Sequence, residues 1–175
     1  MDNLAREIFK CAHLEGEFKL RSGQTSKEYF DKYMFEAKPD ILHEIAKRMK
    51  ELVPEGIDFL AGLEMGGIPL VTSISLVSNH DVLFVRKQAK EYGTCKVAEG
   101  KEFSGKKICI IEDVVTTGGQ IVKSVQELRN QGGIVEDVIC VIQREEGATA
   151  SLEKEGLNLK ALFSMDEIKK SMMEG

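Results

Sequence analysis

The sequence predicts an α/β protein with a central, mostly parallel sheet and helices on both faces. Three observations predict it. Short β-rich apolar runs at 59–63, 82–85, 108–111, 135–142 and 159–163 alternate with stretches of helical periodicity. The run at 108–111, Ile-Cys-Ile-Ile, is apolar without alternation, as a strand buried on both faces must be. At 175 residues, with 42% hydrophobic and 30% charged residues, the chain is long enough for one well-buried core and ordinary in composition for a globular domain.

Taken in order, residues 2–13 form the first expected helix, with Leu4, Ala5, Ile8, Phe9 and Ala12 on one face. Two extended pieces, 17–21 and 28–33, flank Ser22-Gly23-Gln24-Thr25-Ser26, and the turn chemistry between them suggests a hairpin-like unit outside the sheet. Pro39 and Asp40 open a helix with Asp40 as its cap. Ile41, Leu42, Ile45, Met49 and Leu52 make its stripe, and Pro54 and Gly56 end it. The strand at 59–63 turns through Gly66-Gly67 into a helix reaching 78. The strand at 82–85 runs into a polar loop of about eighteen residues. After the strand at 108–111 come a helix to about 130, a strand at 135–142, a helix near 148–155, a strand at 159–163 and a last helix at 165–173. No repeat, low-complexity tract or linker interrupts the pattern. A single domain over 1–175 is expected, with a small N-terminal cap over about 1–38 and a core over about 39–175.

Composition excludes several classes. No apolar run approaches the roughly 20 residues needed to span a bilayer, and the N-terminal residues mix charge with apolar side chains rather than forming a signal-peptide core. No membrane association and a cytoplasmic location are therefore expected. A net charge of −5 argues against nucleic acid as a partner. The four cysteines, Cys11, Cys95, Cys109 and Cys140, contain no Cys-x-x-Cys pair, and the three histidines lie far apart, so no zinc signature exists. Cys109 and Cys140, inside apolar runs, are expected as buried thiols.

The most informative segment reads Ile108-Cys109-Ile110-Ile111-Glu112-Asp113-Val114-Val115-Thr116-Thr117-Gly118-Gly119-Gln120. A buried strand, a glycine-rich turn and a helix start present free backbone N–H groups and a positive dipole end, which suits a phosphate. The two acids are expected where the strand emerges. Acids at a phosphate cradle repel the phosphate but accept hydrogen bonds from vicinal hydroxyls, so a ribose phosphate fits both features. Gly100 to Lys107 has the glycine spacing of a Walker A loop. It ends in Lys107 where Ser or Thr should hold magnesium, and it precedes the strand rather than following one. After the strand at 82–85, Arg86, Lys87 and Lys90 place three cations within five residues, a pattern suited to pyrophosphate.

The segment at 108–120 resembles the 5-phosphoribosyl 1-diphosphate (PRPP) motif of type I phosphoribosyltransferases. Arg86-Lys87-x-x-Lys90-x-Tyr92-Gly93-Thr94 resembles the catalytic loop of the orotate phosphoribosyltransferases, and Phe18-Lys19-Leu20-Arg21-Ser22-Gly23 resembles their N-terminal substrate segment. Gly62-Leu63-Glu64-Met65-Gly66-Gly67 is similar to their pyrophosphate loop, and Ile142-Gln143-Arg144 to their orotate-pairing segment. The resemblance spans nearly the whole chain. It implies the type I phosphoribosyltransferase fold, with an N-terminal hood and a flexible catalytic loop, and a transfer of phosphoribosyl from PRPP to orotate in pyrimidine synthesis. It further implies a magnesium ion held mainly by PRPP, and a homodimer with shared sites.

By the same resemblance, Lys90 and Asp113 are the catalytic residues. PRPP is bound by Arg86, Lys87, Lys90, Tyr92, Glu112, Asp113, Val114, Val115, Thr116, Thr117, Gly118, Gly119 and Gln120. Glu64, Met65, Gly66 and Gly67 face the pyrophosphate, and Arg21, Tyr29, Phe30, Thr116 and Arg144 contact orotate. Lys27-Glu28 departs from the Pro-containing, more apolar stretch usual in the family. Met65 and Gly66 stand where some relatives carry an aromatic residue and a lysine. A purine or xanthine phosphoribosyltransferase stays open as an alternative, as does a non-catalytic PRPP-sensing regulator.

Overall fold

The computed structural model describes residues 2–19, 23–87 and 97–173. Helix α1 (Asn3–Ala12) leads into an antiparallel pair, β1 (His13–Lys19) and β2 (Thr25–Phe30), then one helical turn, α2 (Tyr33–Glu36), and α3 (Pro39–Lys50). Next come β3 (Phe59–Leu63), α4 (Gly67–Ser78), β4 (Asp81–Val85), β5 (Ala98–Glu99) and β6 (Lys107–Val115). The chain continues through α5 (Gly119–Asn130), β7 (Ile134–Gln143), α6 (Gly147–Glu153), β8 (Asn158–Ser164) and α7 (Met165–Lys170). The six-stranded sheet has the order β5-β4-β3-β6-β7-β8, and every pairing except β4–β5 is parallel.

Alternation along β6 builds two cores. Cys109 and Ile111 pack with Leu4 of α1, Ile45 of α3 and Leu70 and Ile74 of α4 on one face. Ile108 and Ile110 pack with Ile121, Val125 and Leu128 of α5 and Leu152 of α6 on the other. From β3 the chain crosses outward to β4, whereas from β6 it proceeds the opposite way to β7 and β8. The order therefore reverses between β3 and β6, and a crevice opens at the carboxyl ends of these two strands.

The expected elements are present, but the first extended piece begins at His13 and the second at Thr25, β5 lies within the expected polar loop, and there are three further differences. Asp40 does not cap α3. Lys38 holds the cap position without a side-chain bond, and Pro39 occupies the first turn, where a missing N–H costs nothing. The second extended piece stops at Phe30 rather than continuing to 33, because the chain winds into α2. Most consequentially, β6 does not end at Ile111. Its pairing with β7 carries it through both acids to Val115, opposite Gln143. Cys109 and Cys140 are fully buried, and burial pushes both thiols up. Cys95 lies outside the described residues.

Ile110 sits at 0% exposure in the middle of the sheet. Ile110→Ala should lower unfolding stability by about 2–5 kcal/mol, read from urea midpoints at constant slope. A loss below about 1 kcal/mol would mean that the centre of the sheet tolerates a cavity.

Candidate active site

Because β6 continues through the acid pair, Glu112 and Asp113 project to opposite faces of the sheet. Glu112 lines a cleft of about 400 Å³ together with Val114, Val115, Thr116, Thr117, Gly118, Gly119, Gln120 and Lys123. Gly118 holds φ +79°, a conformation that favours glycine, and this sharp bend starts α5 with no side chain capping it. The free N–H groups of the first turn of α5 thus open beside the cleft, with the exposed Thr116 and Thr117 hydroxyls next to them. Seven consecutive residues form a cradle for an anion, and a carboxylate stands at its edge.

Asp113 is fully buried on the other face. Its Oδ1 accepts from the Val114 N–H at 2.5 Å. Lys32 Nζ lies 2.5 Å from Oδ2 as an ion pair. The Glu36 carboxyl is adjacent, and the Gly66 backbone presses on both acids. A Cβ at Gly66 would stand 1.5 Å from Asp113 Oδ2 and 3.0 Å from Glu36 Oε1, so only glycine allows the β3–α4 turn to approach this closely. Burial, then the Asp113 charge, pushes the Glu36 carboxyl up to about 9. The same two causes push Glu112 up to about 8, with Lys32 and Lys87 opposing them. Burial works against the Lys32 ammonium, but its contact with Asp113 outweighs this and raises it.

The cationic strand end lies across the crevice. Glu64 Oε1 accepts from the Lys87 N–H at 2.7 Å, tying the turn after β3 to the residue after β4. The Arg86 guanidinium pairs with Glu99 at 3.3 Å. Tyr29, Phe30 and Arg144 line a separate cavity of about 140 Å³ with Phe9, His13 and Glu28 among others. Here Glu28 lies 3.0 Å from His13 Nε2 and 3.9 Å from Lys169 Nζ. Hydrogen bonding to His13, then the Lys169 charge, holds its carboxyl below the usual range. Tyr29 and Phe18 rings meet at 5.5 Å.

The structure thus brings together Glu112 with residues 114–120, and Tyr29 with Phe30 and Arg144. Thr116 joins the first group rather than the second. Arg21, Lys90 and Tyr92 lie outside the described residues.

Residues 33–168 match the family model described as the phosphoribosyl transferase domain. The chain is 44% identical to the orotate phosphoribosyltransferase of Nocardioides sp. over 94% of this chain and 92% of that protein. The chain belongs to the orotate phosphoribosyltransferase family. It is likewise 39% identical to the orotate phosphoribosyltransferase of Methanocaldococcus jannaschii, over 95% of this chain and 93% of that one. Among solved structures, the Mycobacterium tuberculosis orotate phosphoribosyltransferase superposes with a TM-score of 0.85 at 28% identity, covering 94% and 96% of the two chains. A second structure of the M. tuberculosis enzyme, in complex with PRPP, superposes at 0.81 with 25% identity, over 95% and 96%.

Two residues of the buried cluster were not apparent in the sequence of this phosphoribosyltransferase. Lys32 falls within the extended piece expected at 28–33, and Glu36 in a stretch for which no element is expected. The usable signal is their spacing of four residues, which puts both on one side of a helical turn.

The raised Glu112 carboxyl gives a pH signature. Its proton is retained in the folded chain from its ordinary 4.5 to about 8, whereas the unfolded chain releases it. This stabilising contribution is complete below 4.5 and is lost as pH rises through about 8. Against wild type, Glu112→Gln should therefore gain melting temperature progressively between pH 5 and pH 8. A constant offset across that window in scanning calorimetry would show that Glu112 is not protonated in the folded state.

Proposed function

We propose that the chain transfers the 5-phosphoribosyl group of PRPP to a ring nitrogen of orotate, releasing pyrophosphate and forming orotidine 5′-phosphate. The observation that carries this reading is a cleft in which an acceptor carboxyl group, Glu112, meets an uncapped helix N-terminus. A phosphate and a ribose hydroxyl are recognised together by that pairing. Backbone groups of residues 114–120, with Thr116 and Thr117, wrap the 5′-phosphate. Glu112 accepts from the ribose hydroxyls at the cleft, and Asp113 supports it from the opposite face. Orotate lies between the hairpin aromatics Tyr29 and Phe30 and the Arg144 guanidinium, with Arg21 and Thr116 contributing.

Breaking the bond at the anomeric carbon leaves positive charge on the sugar and negative charge on the departing oxygens. Arg86, Lys87 and Lys90, with Tyr92 beside them, neutralise the pyrophosphate, and Glu64, Met65, Gly66 and Gly67 present backbone to it. The tie from the Lys87 N–H to Glu64 holds these two groups at a fixed separation. Closure over the substrates keeps water from the activated sugar. A magnesium ion adds charge neutralisation on the diphosphate. That ion would be carried by oxygens of the diphosphate and by water.

The same reading makes the protein a homodimer in which Arg86 or Lys87 of one chain serves its partner's site, with a hood over about 1–38 on the core. It also places the protein in the cytoplasm. Among the described residues no helix is long and apolar enough to cross a membrane, and Cys11, Cys109 and Cys140 are free thiols.

With PRPP and magnesium, pyrophosphate release should depend on orotate. Turnover of hypoxanthine, guanine, xanthine or uracil in place of orotate would transfer the chain to a purine-type or other base specificity. Mixing inactive Lys87→Ala and Asp113→Ala chains should restore part of the activity through hybrid sites. A fully active monomer in analytical sedimentation would rule out shared sites.

A further inference from the structure

Three buried carboxylate oxygens, Glu36 Oε1, Glu112 Oε2 and Asp113 Oδ2, are left without a hydrogen bond among the described residues beyond the Lys32 ion pair on Asp113 Oδ2. Two of them, Glu36 Oε1 and Asp113 Oδ2, lie side by side over the Gly66 backbone. Buried acceptors facing one another are strongly unfavourable as two anions, and a single proton between them turns one into a donor and satisfies both. Lys32 reaches the same Asp113 oxygen with its side chain 32% exposed, so the ammonium stands between the buried acids and solvent.

The geometry points to Glu36 and Lys32 as positioning residues for Asp113: Glu36 shares one proton with Asp113 across the Gly66 backbone, and Lys32 clamps the same oxygen from the open side. The effect reaches the ligand cleft through Asp113. Its other oxygen, Oδ1, accepts from the N–H of Val114, the first residue of the phosphate cradle. Its neighbour along the strand is Glu112. Fixing Asp113 therefore fixes both the start of the cradle and the direction of the hydroxyl acceptor. Lys32 and Glu36 also follow β2, which carries Tyr29 and Phe30, so the same contacts anchor the aromatic hairpin to the end of β6.

The charged groups facing Glu36 are Asp113 and Glu112 from β6 and Lys32 from its own turn, while the Gly66 turn supplies none. Lys87 faces Glu112 rather than Glu36. The upward shift of Glu36 to about 9 agrees with a proton held there at neutral pH. When that proton leaves, two anions face each other and Asp113 is displaced.

The inference rests on the PRPP reading for its kinetic consequence, and its test has one arm that does not. In the free protein labelled with ¹³C-carboxyl glutamate, the Glu36 signal, identified by its absence from Glu36→Gln, should titrate near pH 9. In Asp113→Asn it should titrate lower. A Glu36 carboxylate already ionised at pH 7 would overturn the proposal. In steady-state kinetics, Glu36→Ala and Lys32→Met should each lower kcat/KM for PRPP by about tenfold or more, the effect of one lost bond to a charged group.

Glu36→Gln keeps a donor, so it should lose no more than about threefold and lack the fall in kcat/KM expected of wild type through about pH 9. The titration of Glu112 through about 8 should persist in both proteins. Equal losses in Glu36→Gln and Glu36→Ala, with the alkaline fall unchanged, would reduce Glu36 to a packing residue. Thermal melts separate that outcome from misfolding. If wild type binds no PRPP in calorimetry, the functional reading fails, while the proton shared by Glu36 and Asp113 is still decided by the NMR titration.

Discussion

The site depends on one geometric constraint: neighbouring residues on a strand point to opposite faces. β6 remains a strand through Glu112 and Asp113, so two adjacent acids are assigned to two environments. Glu112 meets the cradle at the start of α5, whereas Asp113 is enclosed with Lys32, Glu36 and the Gly66 turn. Had the strand ended at Ile111, both carboxylates would have entered one wet loop and could have done the same job. Parallel pairing with β7 as far as Val115–Gln143 prevents that.

The enclosed side is electrostatically demanding. Two carboxyl groups, Asp113 and Glu36, and one ammonium lie within a region that excludes most water, and buried acids are costly unless neutralised. The chain meets that cost with a lysine from the turn after the hairpin and with a Glu36 carboxyl held in its protonated form by burial. Such an arrangement is poor for stability alone, since apolar side chains of similar volume would suit the space better. Its benefit lies in orientation, because a charged, hydrogen-bonded cluster has few alternative packings. The sheet order contributes by reversing between β3 and β6, which brings the Gly66 turn against the end of β6.

Much of this was legible in the sequence, for identifiable reasons. Apolar periodicity located the strands and helices of the sheet because parallel strands are buried on both faces and must be apolar. The spacing of Thr116-Thr117-Gly118-Gly119 exposed the cradle, since the sharp turn into this helix takes φ +79°, which glycine tolerates, at Gly118. The extent of β6 was not legible. Glu112 and Asp113 are weak strand formers, and what keeps them extended is pairing with Cys140 and its neighbours on β7, a tertiary contact absent from local propensity. Lys32 and Glu36 were missed for the same reason. Nothing near them in sequence shows that Asp113, some eighty residues away, lies beside them. Asp40 looked like a cap on composition, but Pro39 set the helix start one residue earlier.

Alternation along β6 also limits how this chain can vary. A point substitution at Ile108 or Cys109 changes volume and leaves the facing of every later residue intact. A single-residue insertion or deletion between Ile108 and Glu112 would exchange the two acids, turning the cleft-facing carboxyl into the core and the lysine-paired one toward the cradle. The distance from the buried stretch to the acid pair is therefore quantised in steps of two residues. In this stretch length, more than chemical identity, is what inheritance has to preserve.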